Sequence, residues 1–381
     1  MILASPRNKD EVILVKNQLI YPRQLIFTLL ACGVPAGILP LMQNLFIYTG
    51  RDTWIAVLIS AIPPALSIMS FLYVCRKFPR QELVGILEQL FGKVMSKIFG
   101  FIFVLYFIAF SALFVEMFCN MFGYFLLPDT PIFLILLLFC VLVFYLVTSG
   151  LKIIARFCEI TFYLFMLSLL LTIPSIFQAE HTNLLPIGHT PLEAYLPSIM
   201  TMLVPMSFCM LIPLTYAHVT KKKNAGKLAY ISMALTILLT AYLAISLILV
   251  SGPEQIESNA WSLLLIYESS EFYVLEKIDL LWFLFWVFLS VRPAAIFAFS
   301  ADKSVKEMVP TAYKKPSWVS AGLVALVLIS AALIHYFKIA TELIMIMQPG
   351  FIFLALMLPA AMAIVCKSKG IKKPATQEDS E

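Results

Sequence analysis

Apolar residues gather along this chain in ten long runs separated by short polar gaps. A helix needs about 20 apolar residues to cross the hydrocarbon core of a bilayer. The runs are Leu25–Ile47, Trp54–Val74, Ile98–Leu127, Pro131–Ser149, Ile153–Phe177, Tyr195–His218, Leu228–Val250, Asp279–Phe299, Val319–Phe337 and Thr341–Val365, numbered here as spans 1 to 10. Each is continuously apolar rather than alternating, so the pattern predicts helices and not barrel strands. Leu83, Leu87, Leu90, Val94 and Ile98 recur at helical spacing and predict an interfacial helix leading into span 3, an extension of that span being the alternative. The gap Ser251–Ile278 carries five glutamates around the apolar stretch Trp261–Tyr267 and reads as an acidic loop, with a short helix lying at the outer interface as the alternative.

Lysine and arginine fill every second gap. The N-terminal tail, the four even-numbered gaps and the C-terminal tail hold four, five, two, four, four and four of them, which is 23 of the 27 in the chain. The remaining four are Arg51, Lys277 and Lys338 in the other gaps, and Arg292 inside span 8. Basic residues stay on the cytoplasmic side of a membrane, so both termini are expected there. The expected organisation is a cytoplasmic tail over residues 1–24, a ten-helix membrane domain over 25–365, and a second cytoplasmic tail over 366–381.

Composition agrees with lipid as the solvent. The chain is 61% hydrophobic and 13% charged with a mean hydropathy of +0.93, whereas a soluble domain carries about 25% charged residues. The net charge of +5 lies in short gaps beside apolar runs and is no sign of nucleic-acid binding. The first 24 residues are polar and lead into a full-length span, so targeting is expected to use span 1 rather than a removable leader. Seven cysteines form no CxxC pair and read as small apolar filler in helices.

Interrupted spans point to candidate chemistry. In lipid, a helix breaks only where protein or a water-lined cavity satisfies the freed backbone groups. Span 1 carries Gly33, Pro35, Ala36 and Gly37 near its middle, and span 6 carries Pro197, Pro205 and Pro213 around Ser207 and Phe208. Interruptions at corresponding positions of two five-helix halves are the pattern of an inverted-repeat transporter fold. Arg292 stands within an apolar run directly before Pro293, where an arginine calls for a partner or a purpose. A ligand carboxylate or Glu116 would serve as partner; snorkelling to the cytoplasmic headgroups is the alternative. Tyr106, Phe110 and Phe114 form a stripe on span 3, close to Glu116, that could pack or line a pocket. Arg156 and Glu159 read as a local structural pair at the start of span 5.

These residues resemble a known family, the B subunits of bacterial spore germinant receptors, in the spore permease branch of the amino acid–polyamine–organocation superfamily. The likeness runs through Gln24 to Leu41, Gly50 to Ile55, Gly150 to Glu159, the lysines after span 6, and Leu275 to Trp286. It implies an all-α integral membrane protein of ten helices, a 5+5 inverted repeat with spans 1 and 6 broken around a central site. It also implies sensing of a nutrient such as an amino acid or a sugar in the spore inner membrane, beside an A-type membrane subunit and a C-type lipoprotein. On this pattern Gly33, Pro35, Ala36, Gly37, Tyr106, Phe110, Ser207, Phe208, Ser290 and Arg292 would line the pocket. Two positions depart from it: Pro35 replaces a small glycine, and Cys209-Met210-Leu211 replaces a glycine-plus-acid signature.

The mechanism expected from this reading is a ligand-driven switch. A carboxylate would sit against the freed amides of span 1, whose second half-helix begins with positive potential, with Arg292 as a second positive contact. The rival is a secondary amino acid transporter. An enzyme would need clustered His, Asp, Glu or Cys, and the four histidines, His181, His189, His218 and His335, are scattered. No cofactor or metal is expected.

Overall fold

Long apolar runs with few strand-favouring turns fold as helices because only a helix satisfies every backbone amide within its own segment in lipid. The computed structural model describes residues 19–33, 38–259, 261–269, 278–309, 312 and 316–371. Among them the ordered elements are helical, with one isolated parallel bridge between Ile20 and Val219. In chain order the α-helices are α1 (Pro22–Gly33), α2 (Ile38–Thr49), α3 (Thr53–Ile59), α4 (Ile62–Lys77), α5 (Leu83–Phe91), α6 (Lys93–Phe125), α7 (Ile132–Ser149), α8 (Leu151–Leu170), α9 (Ile173–Gln178), α10 (Leu192–Leu203), α11 (Ile212–Thr215), α12 (Ala225–Ser258), α13 (Leu264–Glu268), α14 (Ile278–Met308), α15 (Pro316–Phe337), α16 (Ala340–Phe351) and α17 (Leu358–Ser368).

Among the described residues, eight helical segments are long and apolar enough to cross a membrane, and nine if a bent pair counts as one span. Spans 3, 4, 5, 7, 8, 9 and 10 of the sequence reading each fall on one such segment. Span 6 falls on the bent pair, Leu192–Leu203 and Pro205–His218, which meet at 49°. The second half of span 1 and all of span 2 lie in a single stretch, Pro40–Lys77, with a 3-10 turn at Gly50–Asp52 inside it. The first half of span 1 is α1. The residues between α1 and α2, among them Pro35, Ala36 and Gly37, lie outside the described ones.

Polar contacts collect at two ends of the bundle. At the basic end, the Ile20 amide donates to the His218 carbonyl (3.0 Å), Arg23 pairs with Glu159 (3.0 Å), and Lys369 donates to the Leu90 carbonyl (2.7 Å). Glu159 is thus held by Arg23, and also by Gln24 (3.1 Å), rather than by its neighbour Arg156 as the sequence suggested. At the far end, Asp52 accepts from the Gly188 and Thr190 amides (2.8 and 3.0 Å), and the Gln43 side chain donates to the Glu257 carbonyl (2.8 Å). Both ends join gaps that the charge pattern had placed on one side.

The gap read as an acidic loop is largely helical where it is described. α12 runs on to Ser258 across a kink at Gly252, whose φ of 70° side chains rarely adopt. Leu263, Leu264, Ile266 and Tyr267 are buried, with the Tyr267 ring 4.9 Å from Trp282, so this apolar stretch packs inward as α13. The interfacial helix expected before span 3 is α5, set off from α6 by Gly92.

α14 occupies the centre: 83% of its apolar window is buried, against 33% for α15. It packs along α6, where Phe110 and Phe297 approach to 4.3 Å. All seven cysteines are free and buried.

Candidate functional site

Proline decides where the bundle opens. Pro205 lacks an amide and crowds the turn before it, so α10 stops and Pro205–Leu211 continues as a tighter 3-10 segment. On the far-end side of that bend lies a cavity of about 470 Å³. α2 contributes Pro40, Leu41 and Asn44 to its walls; α6 contributes Phe110, Leu113, Phe114, Glu116, Met117 and Asn120. Thr201, Val204 and Pro205 close it at the bend, Trp261 faces in, and His335, Lys338, Thr341 and Ile344 form the rim and remaining wall.

The wall is apolar with a few polar groups. Glu116 is 5% exposed and lies inside a span, where a carboxylate is costly unless it is partnered. Its partner is His335, whose Nδ1 stands 3.4 Å from Oε1, and not Arg292 as the sequence left open. Lys338 follows α15 with φ 54°, a left-handed conformation that favours glycine.

The ten residues singled out from the sequence fall into groups. Phe110 lines the cavity. Tyr106 lies one turn away on the same helix, and its hydroxyl hydrogen-bonds the Ser207 hydroxyl at 2.8 Å. Phe208 packs beside Gly33, where an added Cβ would stand 3.0 Å from its ring. These four (Gly33, Tyr106, Ser207 and Phe208) therefore form a packed layer next to the cavity instead of its lining. Ser290 and Arg292 lie deeper in α14. The Ser290 hydroxyl is buried without a hydrogen-bond partner. Arg292 is 3% exposed, so it does not snorkel to headgroups; its Nε donates to the Leu289 carbonyl (3.1 Å). Cys158 of α8 and Cys32 of α1 lie within its electrostatic reach, which brings Arg292 near the end of α1. Pro35, Ala36 and Gly37 are outside the described residues.

Asn44, Asn120, Thr201, Trp261, His335, Lys338 and Thr341 also face the cavity and were not singled out as its lining. A usable signal existed for two of them. Asn120 follows Glu116 by four residues and so shares its helical face, and His335 is a titratable residue near the end of an apolar run.

The basic end carries a separate charged cluster. Glu82, preceding α5, is 2.7 Å from His218 and 3.3 Å from Lys303. Burial pushes its carboxyl up, but Lys303 and His218 outweigh that and hold it at about 2. Glu307 accepts from the Val84 amide (3.2 Å) beside it. Among the described residues, no group of three or more His, Cys, Asp or Glu side chains could hold a metal ion.

Membrane-length apolar helices packed around a mostly apolar cavity define a multi-pass helical membrane protein. The chain matches the family model of the spore permeases, described as spore germination proteins, over residues 19–359, and it belongs to that family. This is a family of membrane proteins and not of enzymes. No curated protein matches the chain.

Proposed function

We propose that the protein is the nutrient-sensing membrane subunit of a spore germination receptor, binding a small amino-acid-like molecule in its central pocket and changing conformation to trigger germination. The observation that carries this reading is the far-end cavity at the Val204–Pro205 bend, walled by α2, α6 and α16. A site on a bent span between several helices can convert ligand contact into helix movement, provided the ligand favours one arrangement over the other.

The same reading holds that the chain crosses the membrane ten times as a 5+5 inverted repeat, with spans 1 and 6 broken and both tails (1–24 and 366–381) in the cytoplasm. Support for ten crossings comes from the polar contacts. Arg23 joins the basic end and the Thr49 carbonyl accepts from Thr190 at the far end, so α1 and α2 together make one crossing; α3 and α4 return to Lys77. The membrane is taken to be the spore inner membrane, and the partners an A-type membrane subunit and a C-type lipoprotein. Arg292, beside the end of α1, is the second positive contact for a ligand that reaches the layer of Gly33, Tyr106, Ser207 and Phe208. If Arg292→Ala leaves the germinant dose-response unchanged, Arg292 has no part in ligand contact.

Thr201→Trp would fill the cavity. The expected outcome is loss of nutrient-triggered germination with normal protein level and unchanged germination by a nutrient-independent route. A normal nutrient response in that variant would remove the cavity from the mechanism. Uptake of labelled amino acid by vesicles holding this chain alone would instead favour a secondary transporter, which an outward cavity also suits.

A further inference from the structure

We propose that the seam between α4 and α12 at the basic end is a binding site for an anionic phospholipid, with Arg76 and Lys227 holding the phosphate and the outer faces of the two helices receiving an acyl chain. The proposal depends on these helices crossing the membrane and not on the nutrient reading of the far-end cavity.

Positive charge at this seam has no acidic partner. Elsewhere at the basic end Arg23 pairs with Glu159, Lys303 with Glu82, and Lys306 with Asp302. Arg76 and Arg80, at the end of α4 and just beyond it, and Lys223 and Lys227, at the start of α12, are all exposed. No aspartate or glutamate occurs in residues 53–81 or 194–253. Among the described residues, no ion pair reaches any of the four.

Two contacts draw the charges together. A Cβ added at Gly226 would stand 2.8 Å from Arg76 Nη2, so the glycine lets the guanidinium lie against the first turn of α12. Lys222, just before that turn, donates to the Pro79 carbonyl beyond α4. Like charges held this close repel one another, and a bound anion turns the repulsion into attraction. The fork of an arginine matches the oxygens of a phosphate.

The surface that continues from these charges identifies the anion as a lipid. On α4 the exposed Ile62, Leu66, Met69 and Tyr73 follow at steps of three and four residues toward Arg76 and Arg80, and so share one face. On α12 the same steps lead from Lys223 and Lys227 to the exposed Tyr230, Ala234 and Leu238. The Tyr230 hydroxyl stands 3.5 Å from the Ala65 carbonyl, which places both stripes along one seam. Each stripe runs from basic through tyrosine to aliphatic, in the order phosphate, ester and acyl chain of a phospholipid. A soluble anion has no use for the apolar part.

The test is native mass spectrometry of the full-length protein, extracted in detergent and titrated with phosphatidylglycerol or phosphatidylcholine. Native protein is expected to retain phosphatidylglycerol at concentrations where phosphatidylcholine is lost. Arg76→Gln with Lys227→Gln should raise the phosphatidylglycerol concentration for half-occupancy roughly tenfold or more, the effect of removing two charges beside one phosphate. Lys93→Gln with Lys97→Gln, which removes two exposed charges of the same end on α6, should leave it unchanged.

Equal retention of the two lipids by native protein overturns the proposal, and that comparison needs no variant to fold. An equal loss in the Lys93 and Lys97 variant would reduce the effect to general surface charge and overturn the site. Displacement of phosphatidylglycerol by glycerol phosphate at equal concentration would make the headgroup alone the ligand and overturn the lipid. If phosphatidylglycerol is retained only after Glu378, Asp379 and Glu381 are all changed to Gln, the acidic end of this chain is the occupant and the lipid assignment falls.

Discussion

Tyr106 and Ser207, 101 residues apart in sequence, share a buried hydrogen bond of 2.8 Å that ties the long helix α6 to the 3-10 stretch of the bent span. Both hydroxyls are out of reach of water, so each depends on the other. Tyr106→Phe would strand the Ser207 hydroxyl and is expected to lower stability by about 1–3 kcal/mol. Tyr106→Phe combined with Ser207→Ala should recover much of that loss, because neither partner is then orphaned. Thermal unfolding of the three variants in nanodiscs measures this. Additive losses would mean that the two groups do not depend on one another.

Gly33 of α1 packs tightly against Thr236 of α12. A Cβ added there would lie 2.6 Å from Thr236 Oγ1 and 2.7 Å from its Cγ2, with the Phe208 ring at 3.0 Å. Gly33→Ala is therefore expected to destabilise by about 1–3 kcal/mol through overpacking. Thr236→Ala in the same chain frees the space and should restore most of the stability. A Gly33→Ala variant as stable as the parent would show that the helices separate easily at this level.

The membrane-length helices were legible because lipid imposes a simple rule on run length, and a second rule, on the placement of lysine and arginine, sorts the gaps between them. Those rules say which gaps share an end but not which neighbours meet there. That is why the pairing of Glu159 with Arg23, and of Glu116 with His335, appears only once the helices are packed. The proline-rich run in span 6 correctly marked the bend at Val204–Pro205. Its consequence, a cavity one layer above Tyr106 and Ser207, depends on which helix faces meet. Periodicity cannot supply that in helices apolar all round. The apolar stretch Trp261–Tyr267 stood out between the five glutamates of the acidic gap, but whether it forms a loop or a helix, and that it packs inward as α13, is decided by the neighbours that bury it.

Asp52 pins the far-end segment around Gly188 to the turn after α2. Its two oxygens accept from separate backbone amides, and the Thr190 hydroxyl adds a bond of 2.9 Å to the Thr49 carbonyl. Hydrogen bonds to a charged group contribute about 1.5–3 kcal/mol each. Asp52→Ala is expected to release residues 186–190 locally, seen as faster amide exchange there with little change in the α6–α14 core. Unchanged exchange at Gly188 and Thr190 would show that other contacts hold the segment.

The last expectation concerns pH at the basic end. Folding holds the Glu82 carboxyl at about 2, chiefly because Lys303 and His218 lie against it despite its burial. An unfolded glutamate titrates near 4.3, so between these values the unfolded chain binds the extra proton. The stabilisation from Glu82 is then fully present above about pH 5 and drains away as pH falls through the folded value. Glu82→Gln removes the charge and leaves Lys303 and His218 facing a neutral amide, at a cost of order 3 kcal/mol at neutral pH. The gap in unfolding midpoint between the parent and Glu82→Gln should accordingly shrink as pH falls below about 4. A gap that stays constant down to pH 3 would mean that Glu82 is not held ionised by this cluster.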